Sequence, residues 1–327
     1  MKIARIFIAA SALAFAISAA AQTASQGAAR NWPTKQITIV VGYPPGSGIE
    51  AVARFLADGL RERTGHPVIV ENKPGAIGNI AAQYVARAAP DGYTVLYTPN
   101  STHAANIHLY KNIGFDPVKD FTPVTTTVTH GFMLAVNATS PVNSVAELTS
   151  YIKARPGKLA YGSGSATGLV SAALYRSMAK LDVLHVPYKG MPQAYVDLFG
   201  ERLDFLFADV PVGVPFLRSG KLKGLAVSSA TRASAAPEVP TMAESGFPGF
   251  DLSAWQAVFV PANTPRDIVQ KLAEMTNAVM STEKARAFMK IANVEPLPGS
   301  PESLGKLVES EMAKWGRIIK EAGIEPQ

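Results

Sequence analysis

QITIVVGYPPGSGIE, residues 36–50, decides how the chain is read. Residues 36–41 form a β-branched apolar run, the pattern of a strand buried on both faces. Tyr43-Pro-Pro-Gly-Ser-Gly48 breaks that run. From residue 49 to about residue 64, apolar side chains recur at helical spacing, with Val52, Phe55, Leu56 and Leu60 on one face. Ser47 and Glu50 have the spacing of a capping box for the start of this helix. A buried strand, a glycine-rich turn and an amphipathic helix in succession make one unit of an α/β sheet. Such a unit directs backbone N–H groups at the carboxyl end of its strand, where open α/β sheets bind ligands.

The same rhythm continues outward. Residues 68–71 read as a second strand, 79–89 as a helix stopped by Pro90-Asp-Gly92, and 94–98 as a third strand. It restarts after about residue 132, with strands at 133–137, 159–162, 183–187, 205–208, 224–228 and 254–260. Ser144-x-x-Glu147 caps a helix to Arg155, and helices follow at 169–179, 192–199 and 211–219. Residues 237–250, rich in Pro and Gly, read as a surface connection. Thr264-Pro265 supplies an N-cap and first-turn proline for a helix to about residue 280, and Ser300-Pro301 does so for a last helix ending near Gly323. The expected architecture is α/β, with mainly parallel sheets, helices on both faces and a central cleft. Lobe 1 would comprise 32–131 plus 251–327 and lobe 2 residues 132–250. The two chain crossings allow a hinge.

Composition narrows the function. The 327 residues are 47% hydrophobic and 17% charged, enough apolar residues for a sizeable core. The absence of Cys excludes disulfides, thiolate metal sites, Cys nucleophiles and iron–sulfur clusters. A net charge of +6 permits anionic ligands and gives no argument for nucleic acid. Residues 1–21 read as a secretory signal: Lys2 and Arg5 precede an apolar run at 6–17, and Ala19-Ala-Ala21 fits cleavage after about Ala21. Residues 22–31 read as a flexible tether. The expectation is an exported soluble protein, placed in the periplasm of a Gram-negative cell.

Three strand-to-helix loops are candidate ligand contacts. The first holds Tyr43, Pro45, Gly46, Ser47 and Gly48; it lacks the Gly-Lys-Ser/Thr ending of a P-loop and the Gly-x-Gly-x-x-Gly dinucleotide fingerprint. The second is Asn100-Ser101-Thr102-His103, whose hydroxyls can donate to a carboxylate or cap a helix. The third holds Ser163, Gly164, Ser165, Ala166 and Thr167. Neither serine there has glycine on both sides at the spacing of a nucleophile elbow. Asp209, where a strand end meets a helix start, either caps that helix or faces a ligand. His130 lies at the lobe crossing and could line the cleft, while His66 and His185 abut strands and read as structural. No histidine spacing fits a metal site, no acid–base set assembles, and no cofactor is expected.

From about Trp32 to Ile324 the chain resembles the substrate-binding receptors of tripartite tricarboxylate transporters, the Bug or TctC-like family. The motifs that carry the resemblance stand in order: Tyr43-Pro-Pro-Gly, Glu71-Asn-Lys-Pro-Gly-Ala-Ile-Gly-Asn79, Pro90-Asp-Gly-Tyr-Thr94, Asp116-Pro-Val-Lys-Asp-Phe-Thr-Pro123, Val186-Pro-Tyr-Lys-Gly190, Pro237-Glu-Val-Pro-Thr241 and Pro261-Ala-Asn-Thr-Pro265. The resemblance implies a two-lobed periplasmic-binding-protein fold, type II-like, closing on a small carboxylate. It implies that residues 43–48 hold one carboxylate, partly through water, that Ser101 and Thr102 line the same pocket, and that residues 163–167 reach in from the second lobe. Asp209 would contact the distal part of the ligand or a water there. Two departures stand out: Gly46-Ser-Gly-Ile-Glu50 replaces the family's glycine-rich run, and Leu169 stands where relatives often carry His.

The implied function is a monomeric receptor that captures a di- or tricarboxylate or an aromatic carboxylate and presents it to membrane permease subunits. The alternatives are an exported hydrolase using Ser163 or Ser165, and a ligand sensor for a signalling partner.

Overall fold

β1 (Ile37–Val41) is the buried strand that its β-branched run predicts, and it leads through the Tyr43 turn into α1 (Gly48–Thr64), which ends on Gly65 in a left-handed conformation. These elements come from a computed structural model that describes residues 31–326; the expected signal at 1–21 lies outside the described residues. β2 (Val68–Asn72), α2 (Asn79–Ala86) and β3 (Thr94–Pro99) complete the first α/β run. A π-helical turn (Ser101–Ala105) follows and continues into α3 (Asn106–Leu109).

β4 (Phe121–Asn137) is a single 17-residue strand. From the sequence only 133–137 reads as strand; FTPVTTTVTHG before it is rich in threonine and contains Pro123. The threonines are β-branched and fit a pleated surface, and the hydroxyls of Thr125, Thr127 and Thr129 donate to carbonyls in the interior. Thr127 Oγ1 donates to the Gln256 carbonyl at 3.1 Å and Thr125 Oγ1 to the Gly299 carbonyl at 2.9 Å. A register shift beside Pro123 accommodates the proline.

The second α/β run comprises α4 (Val145–Lys153), β5 (Ala160–Ser163), α5 (Ala166–Ala179), β6 (Leu184–Pro187), α6 (Met191–Phe199), β7 (Phe205–Asp209), α7 (Val210–Arg218) and β8 (Leu222–Val227). β9 (Ser253–Pro261), α8 (Arg266–Met280), α9 (Glu283–Ala292), β10 (Glu295–Pro296) and α10 (Pro301–Glu321) close the chain.

The strand order is β2-β1-β3-β9-β4-β7-β5-β6, with β8 and β10 also paired to β4. Both ends of the sheet are parallel, as expected: β1 with β2 and β3, and β5 with β6 and β7. The centre is antiparallel, because β4 and β9 run against their neighbours. The halves meet within β4. Residues 121–131 pair with β9, whereas 132–137 pair with β7 and β8.

Several local expectations need correction. Residues 237–250 do not form a loose surface connection: Val239, Met242 and Phe250 are buried, and Thr241 bridges to Val227. Pro265, not Thr264, occupies the N-cap position of α8; the Thr264 hydroxyl instead donates to the Pro261 carbonyl. The expected helix at 79–89 stops at Ala86, and α9 was not anticipated. The Ser144 cap forms, and Ser300 caps α10 with Ser303 returning the bond.

Candidate functional site

The turn after β1 is held from behind. Tyr43 is buried, its hydroxyl lies 3.0 Å from Ser101 Oγ, and its carbonyl accepts from Asn72 Nδ2 at 2.9 Å. Burial drives the Tyr43 phenol pKa up, so it stays a neutral donor. The capping box expected at Ser47 and Glu50 does not form. Ser47 sits at the N-cap position in extended backbone, but its hydroxyl accepts nothing. The Glu50 carboxylate is occupied by Arg54, with a longer contact from the Gly46 N–H at 3.4 Å. The Glu50 N–H goes to the Ser47 carbonyl, so Ser47 Oγ is a buried hydroxyl without a protein partner, next to the unpaired first N–H groups of α1.

The π-helical turn after β3 splits the second candidate loop. Ser101 faces Tyr43, while Thr102 and His103 turn into the core. Thr102 Oγ1 lies 2.9 Å from Thr98 Oγ1 and 2.8 Å from His103 Nδ1, and the His103 ring stacks on Phe259 at 3.7 Å. Burial lowers the His103 pKa to about 3.

The third loop splits the same way. Ser163 ends β5 with its Oγ 2.7 Å from His185 Nε2. Burial, and secondarily the Arg176 charge, lower the pKa of that imidazole. Ser165 is the N-cap of α5 and accepts from the Gly168 N–H at 3.2 Å. Asp209 occupies the N-cap position of α7 without making a side-chain cap bond, and burial raises its carboxyl pKa to about 6.

Tyr43, Gly46, Ser47, Gly48, Ser101, Gly164, Ser165, Thr167 and Asp209 line one cavity at the junction of the two sheet halves. Five predicted residues do not. Pro45 points to solvent, Thr102, His103 and Ala166 pack inward, and Ser163 stands behind the lining on His185. His130 reaches the cavity, and burial lowers its pKa to about 4. Asn100, from the second candidate loop, also lines the cavity, and sequence reasoning missed Phe132, Met191, Tyr195, Val212 and Gln256. Met191 and Val212 lie in the first turns of helices that follow strands, a position that marks ligand loops in α/β sheets; the others carry no local signal.

The cavity volume is about 90 Å³, the liquid-volume share of about three waters. First-turn or N-cap residues of α1, α5, α6 and α7 surround it. Among the described residues, no Lys or Arg lines it. The field inside therefore comes from helix N-termini and hydroxyls, which suit a small anion. Among the described residues, no group of three or more His, Cys, Asp or Glu could hold a metal ion.

The family model for the tripartite tricarboxylate transporter family receptor matches residues 52–324. The chain belongs to that family. Its receptor fold recurs in solved structures. Rpa4515 of R. palustris, solved with adipate, is 36% identical with a TM-score of 0.87, covering 90% of this chain and 100% of that one. The periplasmic binding protein BugD is 32% identical with a TM-score of 0.85, covering 90% and 100%. MatC of Rhodopseudomonas palustris, with bound malate, is 30% identical with a TM-score of 0.83, covering 88% and 100%. The family resemblance read from the motifs thus holds, and the α/β receptor fold with it.

The buried histidines give this receptor an acid-sensitive stability. A histidine held neutral in the fold takes its proton in the unfolded chain near pH 6.5 and in the folded one only near its lowered pKa. Each such group therefore costs about 1.4 kcal/mol per pH unit below about 6.5. His103 and His130 act in this direction down to about 3 and about 4. Asp209 opposes them below about 6, because its folded form binds a proton more readily than the unfolded one. Urea midpoints of the ligand-free receptor are expected to be flat above about pH 7 and to fall steadily between about pH 6.5 and 4. A constant midpoint across that range would contradict neutral buried imidazoles.

Proposed function

We propose that this chain is a non-catalytic periplasmic receptor that captures a small organic carboxylate and delivers it to the membrane permease of a tripartite tricarboxylate transporter. The observation that carries this reading is the cavity itself: four helix starts and several hydroxyls converge on it from both halves of the sheet. Related receptors of the same fold hold adipate and malate, which supports a carboxylate in this one.

In this reading residues 32–131 with 251–327 move as one lobe against 132–250 as the other, as a monomer. The pairing of β4 changes partner between Gly131 and Phe132, which favours a hinge there. A ligand that touches both halves stabilises the closed arrangement by its differential affinity for it. The hydrolase alternative has a Ser163–His185 hydrogen bond in its favour. Neither residue of the pair lines the cavity, which favours the receptor reading.

Thermal shift with a panel of C4 to C6 mono- and dicarboxylates tests the receptor reading. A ligand at 100 times its Kd adds about 2.7 kcal/mol to stability, roughly 5 °C in Tm for a protein of this size. A folded, ligand-free preparation that no member of the panel shifts would sink the proposal.

A further inference from the structure

The cavity's charge and its unpaired polar atoms narrow the ligand further. Among the described residues no Lys or Arg lines it, so only helix starts are there to compensate a second negative charge; the acidic group present is Asp209. A carboxylate directed at the helix starts places the far end of a ligand among the remaining lining groups. Those groups include acceptors with open valence. Asn100 is fully buried and its Oδ1 has no hydrogen-bond partner, and Asp209 makes no side-chain cap bond. Tyr195 Oη and His130 Nδ1, also buried and unpartnered, can each donate or accept. Phe132, Met191 and Val212 supply an apolar wall between these polar groups. A buried acceptor left without a donor costs about 1–3 kcal/mol, so a ligand that supplies a donor gains over one that does not. A dicarboxylate would set a second carboxylate against Asp209 with no cation to compensate.

Building on the carboxylate-receptor reading, we infer that the cavity selects a monocarboxylate whose far end donates hydrogen bonds and carries no negative charge, such as a hydroxy acid or a carboxylate amide, over the dicarboxylate of equal length. Asp209 is the residue that sets this preference. The titratable groups that face it are the Tyr43 phenol from the turn before α1 and the Tyr195 phenol from α6, and the His130 imidazole from β4 lines the same cavity.

The test is calorimetry at about pH 7.5 with chain-matched sets. The C4 set is 4-hydroxybutyrate, succinamate, butyrate and succinate; the C6 set is 6-hydroxyhexanoate, adipamate, hexanoate and adipate. In the better-fitting set, the hydroxy acid or the amide is expected to bind at least about tenfold more tightly than both the dicarboxylate and the unsubstituted acid, a difference of about 1.4 kcal/mol. Asp209→Asn is expected to close the gap to the dicarboxylate by about tenfold, because the amide removes the repulsion and keeps the shape. A wild-type preference for the dicarboxylate or for the unsubstituted acid overturns the inference and leaves the carboxylate-receptor reading standing. So does an unchanged ratio in Asp209→Asn with the Tm intact. Absence of binding by every member of both sets, in folded protein, removes the receptor reading and this inference together.

Discussion

Gly164→Ala is expected to weaken carboxylate binding by more than about tenfold and to lower stability by about 1–3 kcal/mol, the range for overpacking a close contact. A Cβ at this position would lie 2.4 Å from the Gly190 carbonyl carbon, 2.6 Å from the Met191 nitrogen and 2.8 Å from the Gly190 oxygen. All three are backbone atoms, so no rotamer change relieves the clash. The start of α6 must move away from the turn before α5, and both line the cavity. A shift of roughly 1 Å misaims the N–H groups of either helix, whose hydrogen bonds tolerate little change in distance. Gly220→Ala is the control. Gly220 has φ +69 and no atom within 4 Å of a built Cβ. It is expected to lose about 1–2 kcal/mol through left-handed strain alone and to keep wild-type affinity. Equal affinity in Gly164→Ala and wild type would show that the two helix starts are not coupled through this contact.

The same residues mark how far sequence reading reached. The strand at 36–41 and the helix after Gly48 were legible because a β-branched run and helical apolar spacing are local patterns. The first half of β4 was not. Its threonines have strand propensity but polar hydroxyls, and only their tertiary acceptors, the Gln256 and Gly299 carbonyls, make their burial favourable. The site shows the same limit. That the loops at 43–48, 100–103 and 163–167 reach one cavity follows from their place after strands. Which side chains of each loop face inward depends on the neighbouring element. The π-helical turn sends Ser101 to Tyr43 and Thr102 to Thr98, one residue apart and in opposite directions. His185 captures Ser163 from a strand 22 residues later. Ser47 and Glu50 have the spacing of a capping box, yet Arg54 holds the Glu50 carboxylate and the Glu50 N–H goes to the Ser47 carbonyl, so the serine hydroxyl has no partner. Local spacing cannot register such a competitor.

Trp315→Ala is expected to cost about 3–5 kcal/mol, the range for emptying a fully buried aromatic site, and to lower Tm by roughly 5–15 °C. Trp315 is fully buried on α10, and its Nε1 donates to Glu311 Oε2 at 2.9 Å. Trp255 Nε1, from β9, lies 3.3 Å from the same oxygen. The helix is tied on two further sides. His108 Nε2 lies 2.9 Å from the Met312 carbonyl, and Ser177 Oγ on α5 donates to the Glu321 carbonyl at 2.9 Å. α10 therefore braces the turn that carries Ser101 and the far end of the helix that begins at Ser165. Trp315→Phe separates packing from hydrogen bonding. It keeps most of the buried ring and removes one of the two indole donors on Glu311, so a loss of about 1–2 kcal/mol is expected. Trp315 does not line the cavity, so affinity should change less than stability in both variants. If denaturation midpoints of Trp315→Ala stay within about 1 kcal/mol of wild type, α10 is not what holds the two cavity loops in register. The bracing would then have to come from the sheet alone, through β4 and β9.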